Sequence, residues 1–370
     1  MRIAVHAKVL SEDTPTGIGL YVQHLLRALA AMDRKNEYSL YSNKALVHRF
    51  ANERFRERRL RFPPLWTYLR WPFEFAGRAF DLAFVPKEVV PPFIRTPTVI
   101  TVYDLMGLMF PDRVAMDGKL HYFLAVKAHI PRAHAILAIS ECTKREVVET
   151  CGVDPRKVFV TPLGVDADMF APPPRERVEA TRLRYGLTRP YFINTSSVLW
   201  YRKNLARLVR AFRLCREIGR LDHQLVITGK RGEAQAEIEE LVASFGLDGK
   251  VRMLGYVPRE EMPALLGGAE ALVFPSLHEG FGLPVLEAMA SGCPVITSDR
   301  SALPEVAGSA AILVTPEDVD AIAAAMIGIA NDAELRAGLR AKGLTRAREF
   351  TWERTARLTL DVFERVGCRA

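Results

Sequence analysis

Twice along the chain, short apolar runs alternate with amphipathic stretches, and the two series are separated by Ala171-Pro172-Pro173-Pro174. That pattern admits few folds. Strands separated by helix-length segments do not form hairpins; they pair in parallel, with the intervening helices covering both sheet faces. In the first series, strands are expected at Arg2–His6, Ser39–Tyr41, Asp81–Val85, Thr98–Val102, Ala135–Ile139 and Val158–Thr161, with helical stretches such as Gly19–Met32 and Leu120–Ile130 between them. Consecutive prolines continue neither a helix nor a central strand, so residues 171–174 suit a linker. The second series is expected at Tyr191–Ser196, Gln224–Thr228, Val251–Leu254, Ala271–Pro275, Val295–Thr297 and Ala311–Val314, followed by a last helix at Trp352–Val366. The fold class is therefore α/β: two doubly wound, Rossmann-like domains over 1–170 and 171–350, then a helical segment over 351–370. Ligands of such sheets sit beyond the carboxyl ends of the strands, and a cleft between two such domains is the expected site.

Composition narrows the function classes. With 49% hydrophobic and 25% charged residues among 370, this is an ordinary globular composition. Its length suits two cores better than one. No run of ~18 apolar residues suggests a membrane span, and Ala321–Ala330 has the length of a core helix. The start, MRIAVHAKVL, suits a first buried strand rather than a secretory signal. Cys142, Cys151, Cys215, Cys293 and Cys368 are scattered without C-x-x-C spacing, so a reduced, cytoplasmic compartment is expected. Net charge is +8, and residues 1–170 hold 24 Lys/Arg against 18 Asp/Glu. Most of that excess falls in Arg49–Phe80, where eight Arg and three Glu are interleaved with Phe50, Phe55, Phe62, Trp66, Tyr68, Trp71, Phe73, Phe75 and Phe80. Such a stretch suits an anionic lipid surface or a nucleic acid, or simply a solvated basic face over core aromatics. No nucleic-acid module is visible, so among functional readings the membrane surface stands first.

The chemistry concentrates in His278-Glu279-Gly280-Phe281-Gly282-Leu283-Pro284-Val285-Leu286-Glu287. A strand should end near Phe274, and Pro284 suits the first turn of a helix, where its missing N–H costs nothing. The glycines between them leave backbone amides open at a helix start, an arrangement that attracts phosphate. Glu287 lies about one turn into that helix, and helical side chains lean toward the N-terminus. Its carboxylate would repel a phosphate but suits neutral hydroxyls such as a ribose edge; alternatively it only complements the helix dipole. Glu279 would reach the other end of the same ligand.

Glu279 and Glu287 form an E-x7-E pair within S-L-H-E-G-F-G-L-P-V-L-E-A-M-A-S-G-C-P-V-I. This run closely resembles the retaining glycosyltransferases of family GT4, which have the GT-B fold. The resemblance extends over essentially the whole chain and is clearest in Arg252–Thr297, Leu303–Gly308 and Pro131–Asp166, with A-I-S-E-C-T and T-P-L-G-V-D in the last. It implies transfer of a sugar from a nucleotide-activated donor with retained anomeric configuration. It further implies that Glu287 binds ribose hydroxyls and that Glu279 touches the donor sugar at the reacting centre. Gly280, Phe281, Gly282 and Leu283 would follow the diphosphate and sugar, and the base would pack beside Gly255–Tyr256–Val257–Pro258. By the same resemblance residues 1–170 form the acceptor-binding domain and 171–350 the nucleotide-sugar-binding domain, no metal or cofactor is required, and the last helix, within 351–370, returns to the first domain.

Protein cations would then neutralise the leaving diphosphate. Lys203 matches the family's diphosphate lysine. Val198 stands where many members carry an arginine, which shifts that role to Arg202 in the run Arg202-Lys203-Asn204. Two solvated charges at a helix start are the plain alternative, with Asn204 as the cap. Thr16-Gly17-Ile18-Gly19-Leu20-Tyr21 lacks the third glycine of a dinucleotide loop, since Val22 stands there, and resembles instead the family's glycine loop facing the donor phosphate. Tyr103 replaces the histidine that many relatives place in the sugar pocket. Asp104 beside it either orients hydroxyls or caps the next segment. His278 could line the pocket. Asp166-Ala167-Asp168 suits a turn rather than a metal, Asp318 and Asp320 suit a helix start, and His6, His121, His129 and His134 show no ligand spacing.

The expected reaction is front-face substitution, with the diphosphate oxygen taking the acceptor proton and no enzymic base assigned. The T-G-I-G and Y-D-L regions look most like bacterial polysaccharide mannosyltransferases, so GDP-mannose is the first donor expected and a glycan or polyprenyl-linked acceptor the first partner. Arg49–Phe80 would give a peripheral contact with the inner face of the cytoplasmic membrane; no nucleic acid is expected. The alternatives are a UDP- or other NDP-sugar donor, a GT-B epimerase, or a nucleotide-sugar-binding protein without transfer.

Overall fold

The structure, a computed structural model, describes residues 1–12, 17–47, 50, 52–61, 66–75, 80–109, 123–198 and 200–368. Thr16, Arg49, Phe62, Arg78, Leu120 and His121 lie outside the described residues. The chain forms two compact units: Met1–Gly164 with Trp352–Ala370, and Val165–Thr351.

The first unit holds a sheet of strands β1 (Arg2–His6), β2 (Glu37–Ser42), β3 (Phe55–Arg59), β4 (Leu82–Val85), β5 (Thr98–Val102), β6 (Ala135–Ala138) and β7 (Val158–Val160). Their order is β3-β2-β1-β4-β5-β6-β7, and every pairing is parallel. The apolar central strands follow from burial on both faces: Ile3, Ala4 and Val5 are fully buried, as is all of β4. Helix Gly17–Met32 covers one face with Tyr21, Val22, Leu25 and Leu29. The last helix, Trp352–Gly367, packs in this unit: Trp352 stacks on His24 at 5.0 Å and Phe363 meets Phe84 at 5.1 Å. Its amphipathic period supplies the apolar face, with Ala356, Val362 and Phe363 all buried.

β3 falls inside the basic, aromatic stretch and carries no apolar alternation: its sequence is Phe-Arg-Glu-Arg-Arg. It forms because the β2 edge offers backbone partners from Tyr38 to Ser42, while Phe55 stacks on Tyr38 at 4.3 Å. Arg56, Glu57 and Arg59 are exposed along this outer strand. Charges there discourage a further strand from adding. Trp66 and Trp71 are buried in the core of the unit.

The second unit repeats the plan with β8 (Tyr191–Val198), β9 (Gln224–Lys230), β10 (Val251–Gly255), β11 (Ala271–Phe274), β12 (Val295–Ser298) and β13 (Ile312–Val314), in the parallel order β10-β9-β8-β11-β12-β13. Helices Leu205–Glu217 and Val319–Asn331 bury Leu208, Phe212, Ile322 and Met326 against one face. The prolines at 172–174 lie inside this unit, ahead of helix Arg175–Arg184, and Pro173 packs so closely on Gly267 that a Cβ there would meet its ring at 2.6 Å.

Candidate active site

The strand order of the second unit reverses between β8 and β11, the place where open α/β sheets receive ligands beyond the carboxyl ends of their strands. Both sequence-expected clusters lie there. After β8, the short turn Tyr201–Lys203 precedes helix Leu205–Glu217. After β11, Ser276–Gly282 precedes helix Leu283–Ala290. Backbone bonds stitch the two together: Leu277 N–H donates to the Arg202 carbonyl at 2.8 Å, and the Arg202 guanidinium donates to the His278 carbonyl at 3.1 Å. Asn204 is no side-chain cap. Its backbone is left-handed (φ 59°), and its amide donates to the Pro275 and Pro316 carbonyls at 3.0 and 2.6 Å, tying together the segments beyond β11 and β13.

Glu279 is the centre of charge. Its carboxylate takes Lys203 Nζ on Oε1 at 2.6 Å, Arg202 Nη1 on Oε2 at 2.5 Å, and the Ser276 hydroxyl at 2.6 Å. Glu279 and Lys203 are both buried, and Lys203 lies over the Phe274 ring at 4.7 Å. Burial alone would raise the carboxyl pKa, but Lys203 and then Arg202 outweigh it and hold the group at about 2. Glu279 N–H donates to Ser301 Oγ at 2.9 Å, which fixes the strand-to-helix turn from the far side. The arrangement gathers two cations around one anion, leaving a net positive charge where a diphosphate could be received.

Glu287 lies in the first turns of the next helix. It is buried, and its carboxylate accepts from Arg259 Nη2 at 2.7 Å. Burial pushes its pKa up, with Arg259 opposing and Asp166 adding to the rise. Arg259 in turn stacks over Phe170 at 5.0 Å. Sequence reasoning missed Arg259 because the run Pro258-Arg259-Glu260-Glu261 looks like a solvated charge cluster; only the fold sets it against a buried acid. Gly282 caps the helix with φ 119°, and a Cβ there would meet Leu303 Cδ2 at 2.7 Å, so the turn requires glycine. Gly280 is buried and Leu283 half-buried. Phe281 turns its ring inward, edge-on to Phe350 at 5.8 Å, so only its backbone can follow a ligand. His278 is likewise buried. Beyond β10, Val257 is buried whereas Tyr256 is 60% exposed, with Lys230 Nζ 5.4 Å above its ring. An exposed ring of that kind suits the face of a base.

The remaining expected residues belong to the first unit. Gly17 and Gly19 lie in the first turn of helix Gly17–Met32, and a Cβ on Gly17 would meet open space. Tyr103 is half-buried, edge-on to Tyr21 at 5.4 Å, and donates its hydroxyl to the Pro86 carbonyl at 2.9 Å. Asp104 Oδ1 accepts from Met106 N–H at 3.1 Å, capping the short helix Met106–Met109. Asp166 closes a turn by accepting from Met169 N–H, and Asp318 caps its helix through Ala321 N–H. His129 and His134 are held by the Val90 carbonyl and Thr98 N–H.

Two parallel α/β units, the second with carboxylates and cations converging beyond its strand reversal, are the architecture shared with the GT-B glycosyltransferases matched below. The family models for Glycosyltransferase Family 4 and for Glycosyl transferases group 1 match residues 15–169 and 181–346. The chain is 30% identical over 266 residues to the O-antigen chain mannosyltransferase B of Escherichia coli, covering 72% of this chain and 70% of that protein. It is 30% identical to the serotype-specific mannosyltransferase WbdA of Escherichia coli over 80% of this chain, and spans 36% of that longer protein. Among solved structures, sucrose-phosphate synthase from Thermosynechococcus elongatus matches over 100% of both chains with a TM-score of 0.78 at 21% identity. The chain belongs to glycosyltransferase family 4.

Proposed function

We propose that this glycosyltransferase moves a hexose, mannose from GDP-mannose first, to a glycan or lipid-linked acceptor in polysaccharide assembly, with retained configuration and without a metal. The observation that carries the reading is the buried Glu279 held ionised between Lys203 and Arg202 beyond the β8–β11 reversal. The mannosyl assignment is supported by the relatives named above, both called mannosyltransferases.

In this reading the ribose hydroxyls meet Glu287, the base lies against Tyr256, and the diphosphate approaches Gly280–Gly282 and the two cations. As the sugar C–O bond to the diphosphate breaks, negative charge grows on the departing oxygen. Lys203 and Arg202 are already oriented by Glu279 and need not reorganise to meet it. The acceptor hydroxyl attacks from the same face, and its proton passes to that departing oxygen. Among the described residues no helix is long and apolar enough to cross a membrane. Peripheral membrane contact through residues 49–80 is part of the proposal, supported by the exposed Leu69, Phe73, Arg56 and Arg59. Vesicle co-sedimentation unchanged in an Arg56→Glu, Arg58→Glu, Arg59→Glu variant would overturn that contact.

The deciding test is calorimetric titration with GDP, UDP, ADP and dTDP and their sugar conjugates, with Glu287→Ala in parallel. Selective binding of one nucleotide, weakened by the substitution, supports the transferase site and names the base. A folded protein that binds none of them overturns the reading.

A further inference from the structure

Arg259 opens the short turn Arg259–Glu261 beyond β10, with two acids as its next neighbours in the chain. Among the described residues it pairs with neither. Glu261 is taken instead by Arg184 and by the Tyr185 hydroxyl. Arg259 reaches across 28 positions to Glu287, where its Nη2 donates to Oε1 at 2.7 Å. Its guanidinium also lies 5.0 Å from the centre of the Phe170 ring. Phe170 is buried, and its N–H donates to the Asp166 carbonyl at 2.7 Å, so one turn supplies both the ring under Arg259 and the Asp166 carboxylate. A planar cation resting on an aromatic face and bonded at its end keeps little freedom.

The bond is one-sided. Arg259 takes Oε1, and among the described residues no partner is found for Glu287 Oε2, although the residue is only 9% exposed. One acceptor is thereby left for the donors of a ligand. An ionised carboxylate only accepts, whereas a protonated one places a hydrogen on that open oxygen and loses an acceptor. Burial favours the protonated form of Glu287, Asp166 adds to it, and Arg259 is the charge that opposes both. From the other elements around helix Leu283–Ala290, Glu261 is spent on Arg184 and Tyr185, the next helix carries Glu305, and Arg340 lies against Gly292 past the far end. The aim and the charge of Glu287 therefore both depend on Arg259.

We propose that Arg259 is a positioning residue for the nucleotide donor: seated on Phe170, it anchors one oxygen of Glu287 and presents the other, as an anion, to the ribose hydroxyls. The inference rests on the donor reading above, which brings the ribose to Glu287, and adds to it a residue that acts only through that carboxylate.

The test is calorimetric titration of the full chain with GDP and UDP and with their 2′-deoxy forms, at pH values from about 6 to about 8.5. The proteins are the parent, Arg259→Met, Arg259→Lys, Glu287→Gln and the double variant Arg259→Met, Glu287→Gln. Arg259→Met should bind the ribonucleotide about tenfold more weakly at pH 7, more weakly still near pH 6, and should recover part of the loss near pH 8.5. That sign follows because burial and Asp166, left unopposed, keep Glu287 protonated to higher pH. The parent's preference for the ribonucleotide over its 2′-deoxy form should shrink in the same variant. Arg259→Lys, which keeps a cation, should retain the parent's pH profile with a smaller loss. In the Glu287→Gln background, Arg259→Met should change affinity less than about twofold. A loss equal at every pH and undiminished in that background overturns the inference, because Arg259 would then touch the nucleotide itself. A folded Arg259→Met protein with the parent's affinity and pH profile also overturns it, and Arg259→Gln supplies the same comparison where methionine prevents folding. A parent that binds the nucleotide beside an unaffected variant removes only the role of Arg259, whereas a parent that binds none removes the donor site and that role with it.

Discussion

Replacing Lys203 by methionine separates the electrostatic role of the Glu279 cluster from its shape. The substitution keeps most of the side-chain volume and the contact with the Phe274 ring but removes one of the two cations on a buried carboxylate. The Glu279 carboxyl is held at about 2 against an ordinary value of 4.5. That gap corresponds to roughly 3 kcal/mol of stability at neutral pH. Because the folded value is depressed, the contribution is present above about 4.5 and is lost as pH falls toward 2. With Arg202 remaining as a partner, the Lys203→Met protein should lose about 2 kcal/mol at pH 7, below the full cost of stranding a buried charge. Urea unfolding followed from pH 7 down to pH 3 reads both quantities. The parent should weaken steeply on the acid side, and the variant should start lower and fall less. Adding Glu279→Gln to Lys203→Met should restore part of the lost stability, since no buried charge is then left with a missing partner. Turnover should drop about a hundredfold or more in either case, the usual cost of removing a group that meets developing charge. A Lys203→Met protein with the parent's stability and acid slope would refute the argument that this ion pair holds Glu279 ionised.

The other expectations follow from single contacts. Glu287→Gln should be at least as stable as the parent at pH 7, because burial already disfavours the ionised form, yet its donor affinity should fall about tenfold to a hundredfold with the loss of charge-assisted bonds to ribose, measured by calorimetry. Gly282→Ala should cost about 1–3 kcal/mol in urea unfolding, through its positive φ and the approach to Leu303. Asn204→Ala should cost about 2 kcal/mol, since two carbonyls lose their donor and the left-handed backbone remains, and activity should fall with it as the Arg202–Lys203 turn loosens.

Much of this architecture is legible in local sequence. The apolar runs at Arg2–His6 and Thr98–Val102 coincide with β1 and β5, because parallel strands buried on both faces need near-continuous apolar residues. The turn from Glu279 to Glu287 is legible for a similar reason: Gly282 and Pro284 act through their own backbone restrictions, whatever surrounds them. β3 was not legible, since an edge strand of arginines is held by backbone pairing to its neighbour rather than by its own side chains. Nor was the role of Asn204, whose position before a helix suggests a cap until the carbonyls beyond β11 and β13 claim its amide.

By itself the sequence determined the two α/β series, the glycine turn and the identity of the charged residues, because each is written in spacings of a few positions. The tertiary structure decided which charges meet. Arg202 and Lys203 reach Glu279 across some 76 positions of chain, and Arg259 reaches Glu287 across 28. Those meetings depend on β8 and β11 being neighbours in a sheet, a choice made by the packing of whole strands and helices that no local periodicity records. The low pKa of Glu279 and the raised one of Glu287 have the same origin: burial works alike on two acids of one motif, and the cations the fold supplies to each decide the difference.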